Sequence, residues 1–171
     1  MKQQALYETL WQAGQGREED IVLRCGDKSL SYGALFQGIL QAEAGLRALG
    51  VGPGELVTLF SLNTPEAVMA FYAIDRIGAV ANWVDMKVSP AEVEEYLTQA
   101  GSRVALVLEV AFSKVYHHRG KAPTQHFVVL PLAPYVAPEL EGKLHLSTWQ
   151  QGAGPDCLSW ADFLRPPAQV P

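Results

Sequence analysis

The chain has 171 residues, 49% of them hydrophobic and 18% charged, which is enough for one globular domain with a buried core. Its net charge of −5 argues against a nucleic-acid surface, because the densest basic group is only His117-His118-Arg119 with Lys121. No apolar run reaches the ~18 residues of a membrane-spanning helix, and "MKQQALYETLWQ" lacks the apolar stretch of a signal peptide.

Residues 3–13 place Leu6, Leu10 and Ala13 at helical spacing, and "GQGREED" then breaks the pattern as a surface loop. "IVLRC" and "KSLSY" are β-like runs separated by Gly26-Asp27, a two-residue connection with Gly first that fits a type II′ hairpin. From Ser31 the period changes. Leu35, Ile39, Ala42, Leu46 and Leu49 share one helical face, with Ser31 as N-cap and Gly50 as the residue that ends the helix. Gly33, Gly38 and Gly45 each cost that helix about 1 kcal/mol relative to Ala, which implies close packing against a neighbour.

"ELVTLFSL" reads as a strand buried on both faces. Thr64-Pro65 starts a helix through Ile77 that is apolar on nearly every side, broken by Asp75 and Arg76 as an exposed edge or an ion pair. "AVANWV" is the next strand. Ser89 and Glu92 form a capping box over a helix that buries Val93, Leu97 and Ala100 and stops at Gly101. "RVALVL" and "HFVVL" are further strands, with a short helix in "AFSKVYHHR" between them. Strand–helix–strand units of this length require parallel pairing, so the expected class is α/β: an open, mostly parallel sheet flanked by helices, with an N-terminal β-hairpin.

Residues 131–171 hold seven of the eleven prolines and no sustained period. The expected organisation is therefore an α/β unit over 1–130 and a Pro-rich extended tail over 131–171, in which "LSWADFL" is one or two helical turns anchored by Trp160 and Leu164. Cys25 and Cys157 lie far apart without paired spacing, which predicts reduced thiols in a cytoplasmic protein.

The glycines at 50, 52 and 54 in "LGVGPGELV" invite a phosphate-loop reading. Such loops follow a strand and open a helix, so that helix N–H groups face the anion. Here a helix ends and a strand begins, and the helix carbonyl end repels anions. The stretch is a turn. His117-His118 reads as a solvated surface pair without metal-ligand spacing, and Glu92, Glu94 and Glu95 as dipole compensation on a solvated face. Asn63-Thr64 and Asp85 follow strands, where open sheets bind ligands, but capping and a loop backbone bond are the preferred reading; Trp83 could line a pocket or an interface, but the preferred reading is core.

The order of four stretches carries more information than any single motif: "LSYGAL" (30–35), "LRALGVGPGELV" (46–57), "LNTPEAVMAFYAIDRIGAVANWVD" (62–85) and "SPAEVEEYLTQAGSRVALV" (89–107). Together they resemble the N-terminal part of AMP-forming acyl-CoA synthetases of the adenylate-forming superfamily, over residues 20–110 and more loosely 111–165. "LSYGAL" resembles the family's first core motif and "IDRIGAVANWVD" its second. The resemblance implies the N-terminal subdomain of that fold in an enzyme that uses ATP, Mg2+ and coenzyme A to make an acyl-adenylate and then a thioester. The family's glycine-rich phosphate loop, its adenine and ribose motifs and its mobile lysine lie downstream. The resemblance therefore carries no catalytic, cofactor-binding or metal residue to any position here, and implies a segment inactive alone, with no cofactor of its own.

Ala81-Asn82-Trp83 replaces the family's usual proline-containing run, which leaves the substrate branch open; "MKVSPAEV" lacks the Tyr-Pro and Arg of peptide-synthetase adenylation domains, and that absence favours an acyl-CoA ligase over a fragment of such a domain. The expected partners are the remainder of the ligase and a second copy of the chain, meeting an apolar face that the severed segment would expose. The rivals are a free-standing α/β interaction or regulatory module without catalysis, and an unrelated nucleotide-binding α/β protein.

Overall fold

The computed structural model describes residues 5–146 and 148–165. Helix α1 (Leu6–Gly14) leads into the antiparallel hairpin β1 (Ile21–Cys25) and β2 (Lys28–Ser31). Cys25 pairs with Lys28 across Gly26-Asp27, and only Gly26 takes a positive φ, +56°, as a type II′ turn requires. Ser31 then caps α2 (Tyr32–Ala48) by accepting the Ala34 N–H at 3.3 Å. That helix ends where Gly50, at φ +81°, lets its own N–H reach the Arg47 carbonyl and the Val51 N–H reach Leu46.

The main sheet is built from β3 (Leu56–Phe60), β4 (Val80–Trp83), β5 (Val104–Leu108), β6 (His126–Leu130) and β7 (Cys157–Ser159), in the order β4-β3-β5-β6-β7. All four pairings are parallel. Between them run α3 (Pro65–Ile77), α4 (Pro90–Ala100) and α5 (Phe112–Tyr116). The chain steps from β3 outward to β4 and then back past β3 to β5. Crossovers of one hand must switch faces when the direction reverses, so α3 and α4 lie on opposite sides.

The burial pattern follows. Val104, Leu106 and Leu108 join α1–α3 in one core, with Val128 and Leu130 beside them. Ala105, Val107, Phe127 and Val129 face a second core with Val93 and Leu97 of α4 and Phe112, Val115 and Tyr116 of α5. A hydroxyl network crosses the strand ends: Thr58 donates to Ser102 at 2.8 Å, Asn82 donates to Thr58 at 3.2 Å, and Thr124 donates to the Ser102 carbonyl at 2.9 Å.

The three glycines of α2 are all contact points. A Cβ on Gly38 would collide with the Met69 sulfur, and one on Gly45 would lie 2.6 Å from the Phe163 carbonyl oxygen. At Gly33 the Glu18 carbonyl would be 3.2 Å away. Charge ties the same layer. Glu43 accepts from Arg76 at 2.6 Å and Arg47 at 2.9 Å, while Arg76 stacks on the Tyr7 ring at 4.2 Å. Burial pushes the Glu43 carboxyl up, but the two arginines outweigh it and hold the group below the usual range. Asp75 accepts the Tyr7 backbone N–H at 2.9 Å, so the one polar break in α3 is spent on holding α1.

Residues 131–165 differ from the extended path read in the sequence. After a 3-10 turn at Ala133–Tyr135 come helix α6 (Pro138–Lys143), a second 3-10 turn at Thr148–Gln151, strand β7 and helix α7 (Trp160–Phe163). The physical reason is β6, whose apolar outer edge is completed by pairing Phe127 with Cys157, Val128 with Leu158 and Val129 with Ser159. The expected turn around Trp160 is α7, and Trp160 and Phe163 are buried. Of the terminal "RPPAQVP", residues 166–171 lie outside the described residues.

Because the Gly45 clash is with backbone, no side-chain rotation relieves it. Gly45→Ala is expected to destabilise the chain by about 1–3 kcal/mol despite its better helix propensity. Urea denaturation checks this, and an unchanged or raised midpoint would contradict it.

Candidate functional site

The glycine stretch opens at the amino end of β3, away from the end where parallel sheets hold ligands. Its Gly52 N–H donates to Glu55 Oε2 at 2.6 Å, and Arg103 holds Glu55 Oε1 at 2.7 Å and the Gly50 carbonyl at 2.7 Å. The Gly52 N–H, with Arg103 beside it, keeps the Glu55 carboxyl below the usual range. A resident carboxylate thus occupies the donor that a phosphate would need. The stretch is the expected turn.

The other residues singled out in the sequence divide clearly. Thr64 caps α3 by accepting the Ala67 N–H at 3.3 Å, and Asp85 accepts the Lys87 N–H at 2.8 Å in a local turn, so both serve the backbone. Asn63 is exposed beside them. Trp83 is not core: it is 38% exposed, and its Nε1 donates to the Ser61 carbonyl at 2.9 Å, joining the carboxyl ends of β4 and β3. Glu92 completes the capping box with Ser89, and Glu95 accepts from Gln99.

The histidine pair needs correction. His117 is exposed, but His118 is only 5% exposed, with Nδ1 3.0 Å from Glu94 Oε2 and Nε2 buried without a partner. Just past the end of α5 the chain brings His118 against Glu94 of α4 and leaves His117 in solvent, so adjacent histidines face opposite environments. Among the described residues no group of three His, Cys, Asp or Glu is placed to hold a metal ion. Cys25 and Cys157 are free thiols, and burial pushes Cys157 up.

The carboxyl ends of β5, β6 and β7 hold what the sequence did not single out. Glu109 directly follows β5 and accepts the Leu132 N–H at 2.7 Å and the Ala133 N–H at 2.8 Å, both on Oε1. It lines two adjoining cavities, which also share Trp149. The larger, about 460 Å3, runs past Tyr116 to His117, Arg119 and His145. The smaller, about 310 Å3, lies between Trp149, Trp160, Pro131 and Pro134. Arg119 stacks on the Tyr116 ring at 4.4 Å, and burial, with the Tyr116 hydroxyl donating a hydrogen bond to Asp156, pushes that hydroxyl up to about 12. A carboxylate at a strand's carboxyl end was the available signal for Glu109, the same one that drew notice to Asp85.

Glu66 is a second group the sequence concealed, because acidic residues are ordinary in the first turn of a helix. It is 9% exposed; Oε1 accepts the Tyr135 hydroxyl at 2.7 Å and Oε2 is buried without a partner. Burial pushes the Glu66 carboxyl up, and the same environment pushes Tyr135 up.

A family model described as "AMP-binding enzyme" matches residues 10–158, most of the chain. The chain belongs to the AMP-binding enzyme family. Among curated members, a long-chain-fatty-acid–CoA ligase of Thermus thermophilus is 34% identical over 101 residues, covering 58% of this chain and 19% of that protein. A 3-hydroxybenzoate/4-hydroxybenzoate–CoA ligase of Thauera aromatica is 30% identical over 102 residues, with 60% and 19% covered. The chain therefore spans about a fifth of the length of these AMP-binding relatives. Coronafacic acid ligase of Pectobacterium brasiliense superposes over 95% of this chain and 30% of its own, at a TM-score of 0.79 and 14% identity. The anthranilate CoA ligase AuaEII, solved with anthranoyl-AMP, covers 81% and 26% at a TM-score of 0.69 and 24% identity. These likenesses establish the expected α/β fold for this family member.

The Glu66 geometry fixes the sign of a pH effect. The unfolded chain ionises Glu66 near the ordinary value of 4.5, and the fold delays ionisation to higher pH. The neutral acid's contribution is present below that ordinary value and is lost as pH rises through the raised one. Glu66→Gln keeps an acceptor for Tyr135 and cannot ionise. Its stability relative to the parent is expected to rise between pH ~4 and ~8, read by thermal melts; parallel pH profiles would contradict this.

Proposed function

We propose that this chain is the N-terminal segment of an AMP-forming acyl-CoA ligase and serves it as a structural layer. The parent enzyme would join a carboxylate to the AMP moiety of Mg2+-bound ATP with release of pyrophosphate, and then pass the acyl group to coenzyme A with release of AMP. The observation that carries this reading is the combination of a family match over residues 10–158 with a span of only 19% of the matched ligases. The glycine turn supports it, because its Gly52 donor is already given to Glu55. Residues 1–130 would form most of the layer, completed by β7 and α7, and 131–171 would also lead toward the nucleotide-binding core.

On this reading the segment alone binds no cofactor and makes no acyl-adenylate. It works in the cytoplasm, where Cys25 and Cys157 stay reduced. Its exposed apolar residues, among them Leu62 at 54% and Val80 at 48%, meet the remainder of the ligase or, in its absence, a second copy. No helix among the described residues is long and apolar enough to cross a membrane.

The test is carboxylate-dependent ATP–pyrophosphate exchange by the purified 171-residue chain. Exchange is expected to match a protein-free blank for fatty and aryl carboxylates alike. Exchange that copurifies with the chain through successive columns would overturn the reading.

A further inference from the structure

We infer that the smaller cleft at the carboxyl ends of β5–β7 is a binding site for an organic cation, with Glu109 as its counter-ion. The inference stands independently of the ligase assignment.

Glu109 is held as a fixed acceptor. Two backbone N–H groups, from Leu132 and Ala133, converge on Oε1 at 2.7 and 2.8 Å and fix the carboxylate against the loop after β6. Oε2 has no hydrogen-bond or ion-pair partner among the described residues, and it is not one of the buried unsatisfied atoms. The carboxylate is thus oriented and half satisfied, with one oxygen still open.

The walls match that charge. Among the described residues lining the 310 Å3 cleft, Glu109 is the one charged side chain. Trp149, Trp160, Pro131 and Pro134 line the cleft beside the neutral polar side chains of Gln150 and Ser159. Indole faces attract cations through the ring quadrupole, and an ammonium shielded by such walls gains more from a carboxylate than it would in open water. An anion entering the same cleft meets Glu109 and electron-rich rings. It is disfavoured twice. Arg119 lines the adjoining cavity, where it is stacked on Tyr116. The volume suits a small amine with an apolar body, such as an arylalkylammonium.

The four tryptophans make the test site-specific, since Trp11 and Trp83 lie outside both cavities. The 15N-labelled chain is titrated with 2-phenylethylammonium and, separately, with phenylacetate, which has the same ring and the opposite charge. The expected result is a saturable shift of the Trp149 and Trp160 indole N–H signals with the ammonium and none with the carboxylate. Glu109→Gln, which keeps an oxygen for the two backbone donors, is expected to weaken ammonium binding at least about tenfold. Trp149→Ala is expected to weaken it also. Equal or tighter binding of phenylacetate, shifts confined to Trp11 and Trp83, or no saturable shift with the ammonium would each overturn the proposal. The charge comparison is made on the parent chain, so it stands even where Glu109→Gln fails to fold.

Discussion

Every residue of β5, Val104–Leu108, is buried, and the strand lies mid-sheet between β3 and β6. A strand apolar on both sides cannot face water on either, so the chain must lay helices over both faces of the sheet. The alternation of β5 divides its side chains between two cores, Val104, Leu106 and Leu108 on one side and Ala105 and Val107 on the other. Covering both faces sends the polar loops to the two ends of the strands. The chemistry the chain displays is found at those ends.

The two ends differ in what their charges do. At the amino end, Glu55, Arg103 and the Gly52 N–H satisfy one another, and the result is a closed turn. At the carboxyl end, Glu109 satisfies two backbone donors with one oxygen and leaves the other open beside two indoles. The difference lies in the partners: a backbone N–H and Arg103 take one oxygen of Glu55 each, whereas two backbone N–H groups converge on a single oxygen of Glu109. Glu66 and His118 show a third outcome, buried groups with one partner met and one atom left over. Both sit where elements from distant parts of the sequence meet: Glu66 with Tyr135, and His118 with Glu94.

Much of the architecture was legible because it rests on local rules. Ser31, Thr64 and Ser89 cap three helices as short polar residues before apolar periods, and Gly50, Gly78 and Gly101 end them at positive φ. The strands announced themselves by apolar runs too short for helices. By contrast, "CLS" has no alternation and only three residues, so β7 exists because β6 offers it an edge. The reading of His117-His118 as a solvated pair failed for His118 on similar grounds, since the depth of a short helix is set by what packs over it. The glycines of α2 were recognised as costly, but their partners, Met69, Phe163 and Glu18, come from three separate segments.

The sequence by itself determined the class of fold, the order of the elements through β6, the family resemblance and the exclusion of "LGVGPGELV" as a phosphate loop. Each of these depends on residues within a helix or a turn of one another, or on the order of motifs along the chain. Only the tertiary structure decided that residues 131–165 complete the sheet, that His118 and Glu66 are buried, and that Glu109, Trp149 and Trp160 line one cleft. Those facts depend on groups tens of residues apart in sequence, brought together by strand pairing that covers β5 and then β6. Local spacing carries no record of such meetings, because burial and strand pairing join segments without regard to their separation along the chain.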